Sequence, residues 1–249
     1  MKEKKKTSAV IVADSIDSRG NRITTYLLTY WRAIHPELLT HRMFSRNAAS
    51  SRAIPFAKMV KDIEEDPFIP IAWQRDHKGM QGTEYLNGEE VERAELQWIQ
   101  ASKNAINSAR MLNSNYFGVE KNLVTKQLCN RLLEPFQWYT CLVTFTEGNN
   151  FFELRCPKYK TPGLASEPVK SRKDWLKKMQ FSSLMHPNQY PKSEEEWWKL
   201  SESGAEIHIQ ALAEAMWDAR NESIPKELQA GDWHIPFLDT FDNFSDLPE

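Results

Sequence analysis

Apolar positions in the first part of the chain come in short runs instead of at helical spacing. Residues 8–13 (SAVIVA) are apolar and β-branched, the pattern of a buried strand, and residues 15–21 (SIDSRGN), with Gly20, read as a polar turn. Residues 22–34 (RITTYLLTYWRAI) favour a second strand by their β-branched and aromatic content, with a tail that also suits a helix. Pro36 fits the first turn of a short helix, PELLTHR. Pro55 opens another, FAKMVKDIEED, ended by Asp66-Pro67.

Residues 67–88 carry Pro67, Pro70, Gly79, Gly82 and Gly88, which predicts a long loop, either a plain surface loop or a lid. The pattern then changes period. From Gly88 to Tyr116, Val91, Ala94, Leu96, Trp98, Ile99, Ala105, Ile106 and Leu112 recur mostly at three- and four-residue steps, a long helix that Gly118 closes. A second helix over residues 119–135 places Val124, Leu128, Arg131 and Leu132 on one side. An Arg beside an apolar stripe fits a buried or interfacial anion partner, or a side chain snorkelling at the stripe's edge.

Residues 138–147 (WYTCLVTFTE) read as a strand, and residues 204–220 as a closing helix with Ile207, Leu212 and Met216 inward and His208 structural. Between them, residues 156–203 are rich in Pro and hold two helical pieces, SRKDWLKKMQ and SEEEWWKL, the second capped by Ser193. Lys170, Arg172, Lys173, Lys177 and Lys178 around Trp175 suit an amphipathic surface helix, or contact with nucleic acid. After Pro225 the tail is acidic and is expected to wrap the surface or fray.

Composition narrows the classes. With 249 residues, 41% hydrophobic and nine Trp, the chain can bury a sizeable core, and one domain over residues 1–249 is the default. A net charge of −2 and a pI near 6.3 argue against coating nucleic acid by bulk charge. No apolar run reaches the length of a membrane span, and the N-terminus has no signal-peptide core, so a cytoplasmic protein is expected. Cys129, Cys141 and Cys156 are odd in number and lack metal-ligand spacing, which suits reduced thiols and no metal.

Against that balanced background one interval stands apart. Between Glu37 and Asp62 there is no acidic residue, while Arg42, Arg46, Arg52, Lys58 and Lys61 supply charge. Ser45, Ser50, Ser51, Asn47 and His41 add hydrogen-bonding groups. Such a run is a solvated basic loop or a place to hold a compact anion, since Arg and Ser donors match phosphate oxygens.

The order of these residues resembles the signature of the flavin-dependent thymidylate synthases, the thymidylate synthase-complementing family. There RHR is followed by Ser, Asn-Glu, Ser and Arg at fixed offsets, and His41, Arg42, Ser45, Asn47, Ser50 and Arg52 fall on that pattern. Thr40 stands where the first Arg belongs and Ala48 where the Glu belongs. Downstream, KQLCNRLLEP (126–135) is similar to the family helix whose Arg reaches the nucleotide phosphate from a neighbouring subunit. NNFFELR (149–155) is similar to the family's Asn-Phe-(two residues)-Leu-Arg element, and residues 205–216 to its closing helix. Residues 156–203 then read as an insertion into a short connection of the relatives.

The resemblance implies an α+β fold, a mixed or antiparallel sheet flanked by long helices, assembled as a homotetramer with sites built from several subunits. It implies transfer of a one-carbon unit from methylenetetrahydrofolate to C5 of dUMP, with FAD as cofactor and NADPH recharging it, to give dTMP. Ser50, Ser51, Arg52 and Arg131 would bind the substrate, and Arg155 would lie on the pyrimidine as the catalytic group. His41, Arg42, Ser45, Asn47 and Asn150 would orient the flavin. Arg46 is a candidate replacement for the cation missing at Thr40. The departures fit a divergent, phage-like branch in a bacterium or an infected bacterium. A pyrimidine-nucleotide hydroxymethylase on the same scaffold, or a non-catalytic nucleotide- or nucleic-acid-binding homologue, are the alternatives. Cys156 is expected to have no nucleophilic role.

Overall fold

The structure, a computed structural model, describes residues 4–78, 82, 84–114, 124–163, 167–180 and 186–238. Strands β1 (Ser8–Asp17) and β2 (Arg22–Trp31) form an antiparallel hairpin. Gly20, at φ +86°, turns the chain between them in a conformation that side chains with a Cβ disfavour. The turn is shorter than the polar sequence suggests, because residues 15–17 stay in β1. Arg22 binds the Asp14 carboxylate at 2.5 Å and Thr24 Oγ1 donates to it at 3.0 Å, so the polar end of the hairpin satisfies itself.

Strand β4 (Trp138–Phe145) runs antiparallel to β2, setting Tyr26 beside Val143, Leu28 beside Cys141 and Tyr30 beside Tyr139. These residues are buried, and period-two alternation sends them all to one face of the sheet. Helices α1 (His35–Leu39), α5 (Asn149–Arg155) and α8 (Ile207–Glu222) cover that face with Leu38, Phe151, Phe152, Ile209, Leu212 and Met216. Ile207, Leu212 and Met216 are inward, as their spacing predicts.

Two strands were not visible in the sequence. β3 (Ser45–Ala48) forms inside the basic interval and pairs antiparallel with β4 at the sheet edge. Its residues SRNA are mostly polar and largely exposed, so no hydrophobic alternation marks it, and pairing with β4 alone makes it a strand. β5 (Lys226–Leu228) joins the other edge, parallel to β1, so this part of the tail wraps onto the sheet and does not fray. The sheet order is β3-β4-β2-β1-β5.

Helices α2 (Phe56–Glu65), α3 (Glu89–Asn113) and α4 (Lys126–Arg131) share a second core of Met59, Val60, Ile63, Ile106, Ala109, Cys129 and Leu133. The helix expected over 119–135 is shorter. Thr125 caps its start by accepting from the Gln127 N–H at 3.1 Å, and a 3-10 turn at Glu134–Phe136 follows its end. Gly118 and the expected start of this helix lie outside the described residues. No helix among the described residues is long and apolar enough to cross a membrane.

The insertion carries α6 (Arg172–Gln180) and α7 (Glu194–Leu200), packed through Tyr159, Val169, Trp175, Met179 and Trp197. Trp175 is fully buried, and Lys170, Arg172 and Lys173 are paired with Glu153, Glu194 and Glu222, each at 2.6 Å. Arg172–Glu194 lies within the insertion, the other two pairs tie it to α5 and α8, as charges of an amphipathic surface helix do, and Trp175 offers no face for base stacking.

Candidate functional site

The basic interval folds around a fixed backbone. From α4, the buried Asn130 donates through Nδ2 to the carbonyls of Ser51 (2.7 Å) and Ile54 (3.0 Å), and Tyr139 on β4 donates to the Ala49 carbonyl at 2.9 Å. Asn130 Oδ1 is buried without a partner. These contacts pin the 49–54 loop from inside, while the side chains of Ser50 and Arg52 stay exposed.

Arg52 reaches the side of α4 that carries Arg131. Arg52 Nε donates to Gln127 Oε1 at 3.1 Å, and Arg131 lies one helical turn beyond Gln127, on the same side of α4. Ser50 Oγ accepts from the Arg52 N–H at 3.3 Å, a local turn bond that fixes the loop's direction. Neither arginine has a carboxylate partner among the described residues, so their charge is available to an anion. Ser51 differs: it is buried, and its Oγ donates to Glu134 Oε1 at 2.5 Å, which ties the loop to the segment after α4.

Arg155 sits in a second group, at the C-terminal end of α5. Its Nε donates to His41 Nε2 at 3.2 Å and its Nη1 to Glu37 Oε2 at 3.0 Å. Accepting that bond requires a neutral His41, and burial together with Arg155 and Arg46 depresses its pKa. Burial pushes the Glu37 carboxyl up, against the pull of Arg155. With 23% of its side chain exposed, the guanidinium is held at Nε and Nη1, and its Nη2 has no partner among the described residues. Such a preorganised donor can stabilise charge that develops on a bound ring. No hydrogen bond or ion pair joins this group to the Arg52–Arg131 surface among the described residues.

The residues expected to orient a flavin divide. Arg42, Ser45, Asn47 and Asn150 are exposed, and their side chains make no hydrogen bond or ion pair among the described residues. His41 is buried against Phe151 and Phe44 and engaged by Arg155. Arg46 donates to the Leu39 carbonyl at 2.7 Å, closing the carbonyl end of α1 instead of presenting its charge. Cys156 is fully buried and burial pushes its thiol up, which keeps it unreactive. His208 is structural: its Nε2 accepts from the Ile71 N–H at 3.2 Å and its Nδ1 bonds Glu206.

Sequence reasoning missed Glu37, Gln127 and Asn130. A signal existed for Glu37, four residues before His41 on a predicted helix, the spacing of same-side neighbours. An acid is not what one seeks beside an anion site.

No family model matches the chain, and no curated protein matches it. Solved structures do. A UMP/dUMP methylase, PolB from Streptomyces cacaoi, solved with 5-Br UMP, superposes with a TM-score of 0.52 at 13% identity, covering 88% of this chain and 90% of that one. Its structure with 5-Br dUMP gives 0.47 at 12% identity, over 71% of this chain and 88% of that one. At such identity the first likeness establishes a shared α+β fold.

Proposed function

We propose that the chain is a pyrimidine-nucleotide-modifying enzyme of the flavin-dependent thymidylate synthase type, transferring a one-carbon unit to C5 of dUMP. The observation that carries this reading is the sorting of the three arginines by their partners. Arg52 and Arg131, neither paired with a carboxylate among the described residues, are suited to a phosphate. Arg155 is half-neutralised by Glu37, which suits it to the uncharged base. The fold shared with a UMP/dUMP methylase supports the same reading.

In this scheme Ser50, Arg52 and Arg131 orient the nucleotide through its phosphate. Arg155 donates to a ring carbonyl, where electron density builds as C5 attacks, and so binds the transition state more strongly than the ground state. Arg42, Ser45, Asn47 and Asn150, exposed and unpaired with other side chains, would hold a flavin. Bound there, FAD supplies the hydride and NADPH recharges it. His41 acts instead on Arg155. Ser51, buried against Glu134, shapes the loop. The site is completed by neighbouring copies in a homotetramer.

A second reading is favoured by Thr40, Ala48 and the diversion of His41 and Arg46 away from a cofactor: the same transfer without the final reduction, giving a hydroxymethylated pyrimidine. The purified chain is incubated with dUMP, methylenetetrahydrofolate, FAD and NADPH, and the nucleotide product is weighed by mass spectrometry. A methyl product supports the first reading, a hydroxymethyl product the second, and no change in the nucleotide contradicts both. Arg155→Ala is expected to lower turnover at least about a hundredfold; a near-normal rate would remove Arg155 from the catalytic role.

A further inference from the structure

The Glu37–Arg155 pair leaves two polar atoms without a partner among the described residues. Glu37 is bonded through Oε2, so Oε1 is a free acceptor; Arg155 is bonded through Nε and Nη1, so Nη2 is a free donor. A carboxylate 3.0 Å from the guanidinium makes this a poor seat for phosphate. Like charges a few ångströms apart repel by roughly 4 kcal/mol at the effective dielectric of a protein surface. The group is suited to a neutral partner with a donor and an acceptor side by side. The imide edge of uracil, a ring N3–H between two carbonyls, is such a partner.

We propose that Glu37 is a specificity-determining residue that accepts the ring N3–H of a uracil base through Oε1, while Arg155, which it positions, donates from Nη2 to the neighbouring ring carbonyl. The inference rests on the pyrimidine-nucleotide reading above. It gives the carboxylate two tasks. Glu37 holds the guanidinium at Nη1, and it tests the base for a hydrogen that a ring alkylated at N3 lacks. A half-buried acceptor left facing a methyl group loses its bond and keeps part of its desolvation cost.

The test is calorimetric titration of the full chain with dUMP and with N3-methyl-dUMP, in the wild type and in Glu37→Ala. The wild type is expected to prefer dUMP by about tenfold or more, the size of one hydrogen bond to a charged group. Glu37→Ala is expected to bind dUMP more weakly and to treat both nucleotides alike. Full discrimination retained in Glu37→Ala, or equal binding of both nucleotides by the wild type, overturns the proposal while leaving the nucleotide reading intact. A wild type that binds neither overturns the reading itself. If circular dichroism shows Glu37→Ala unfolded, Glu37→Gln carries the test. Its neutral oxygen accepts more weakly, so the preference shrinks severalfold, and an unchanged preference counts against the proposal.

Discussion

Glu214, on the outer side of α8, accepts from the Arg172 backbone N–H at 2.6 Å and from the Tyr159 hydroxyl at 3.1 Å. Burial nevertheless pushes its carboxyl up from 4.5 to about 7. A raised carboxyl means that the folded chain binds this proton more tightly than the unfolded one. Its contribution is therefore fully present below the unfolded value and is lost as pH rises through the folded one, by up to roughly 3 kcal/mol. Glu214→Gln, neutral throughout, is expected to remove that slope: between pH 4.5 and 7 the wild type loses thermal stability relative to the variant. Parallel melting curves across that interval would contradict the assignment. At this scale the sequence shows what a side chain's own chemistry offers, such as the guanidinium groups of Arg52, Arg131 and Arg155 on which the proposal rests. It was silent where the role depends on a partner far along the chain. Arg155 meets His41 from 114 residues away, and Asn130 meets Ser51 from 79. Arg46 and Ser51 looked like free donors for the same reason, since their acceptors, the Leu39 carbonyl and Glu134, are set by folding.

Among elements, α4 is the one on which the basic interval depends. Only six residues long, it has little stability of its own and is kept by packing Cys129 into the second core. Through Asn130 it fixes the 51–54 loop that carries Arg52. Asn130→Ala removes the donor to two backbone carbonyls and is expected to cost about 2 kcal/mol in urea unfolding, together with weaker dUMP binding. Unchanged stability would show that water replaces the amide at no cost. Long periodic helices and apolar strands were legible: α2, α3, α6, α7, α8, β1, β2 and β4 each lie close to where their patterns place them. β3 and β5 were not, because segments of four and three mostly polar residues carry no period and become strands only by lying against β4 and β1. The same holds for the shortened α4, where the Thr125 cap and the turn at Glu134–Phe136 override an apolar stripe.

For the whole molecule, the candidate site falls into two separate groups, and exposed apolar side chains lie close in sequence to both. Leu39, Met43 and Leu154 are exposed near His41 and Arg155 in the chain, and Leu128 and Leu132 near Arg131. Apolar surface beside an anion site is what a contact between copies would cover, in line with the proposed homotetramer. The central claim is that Arg52, Arg131 and Arg155 converge on a single pyrimidine monophosphate. The most direct measurement is a crystal structure of the chain with dUMP. The account predicts the phosphate within hydrogen-bond reach of Arg52 and Arg131, and the uracil ring against Arg155, with neighbouring copies contributing where one chain falls short. A nucleotide bound elsewhere, or these arginines untouched by it, would contradict the account.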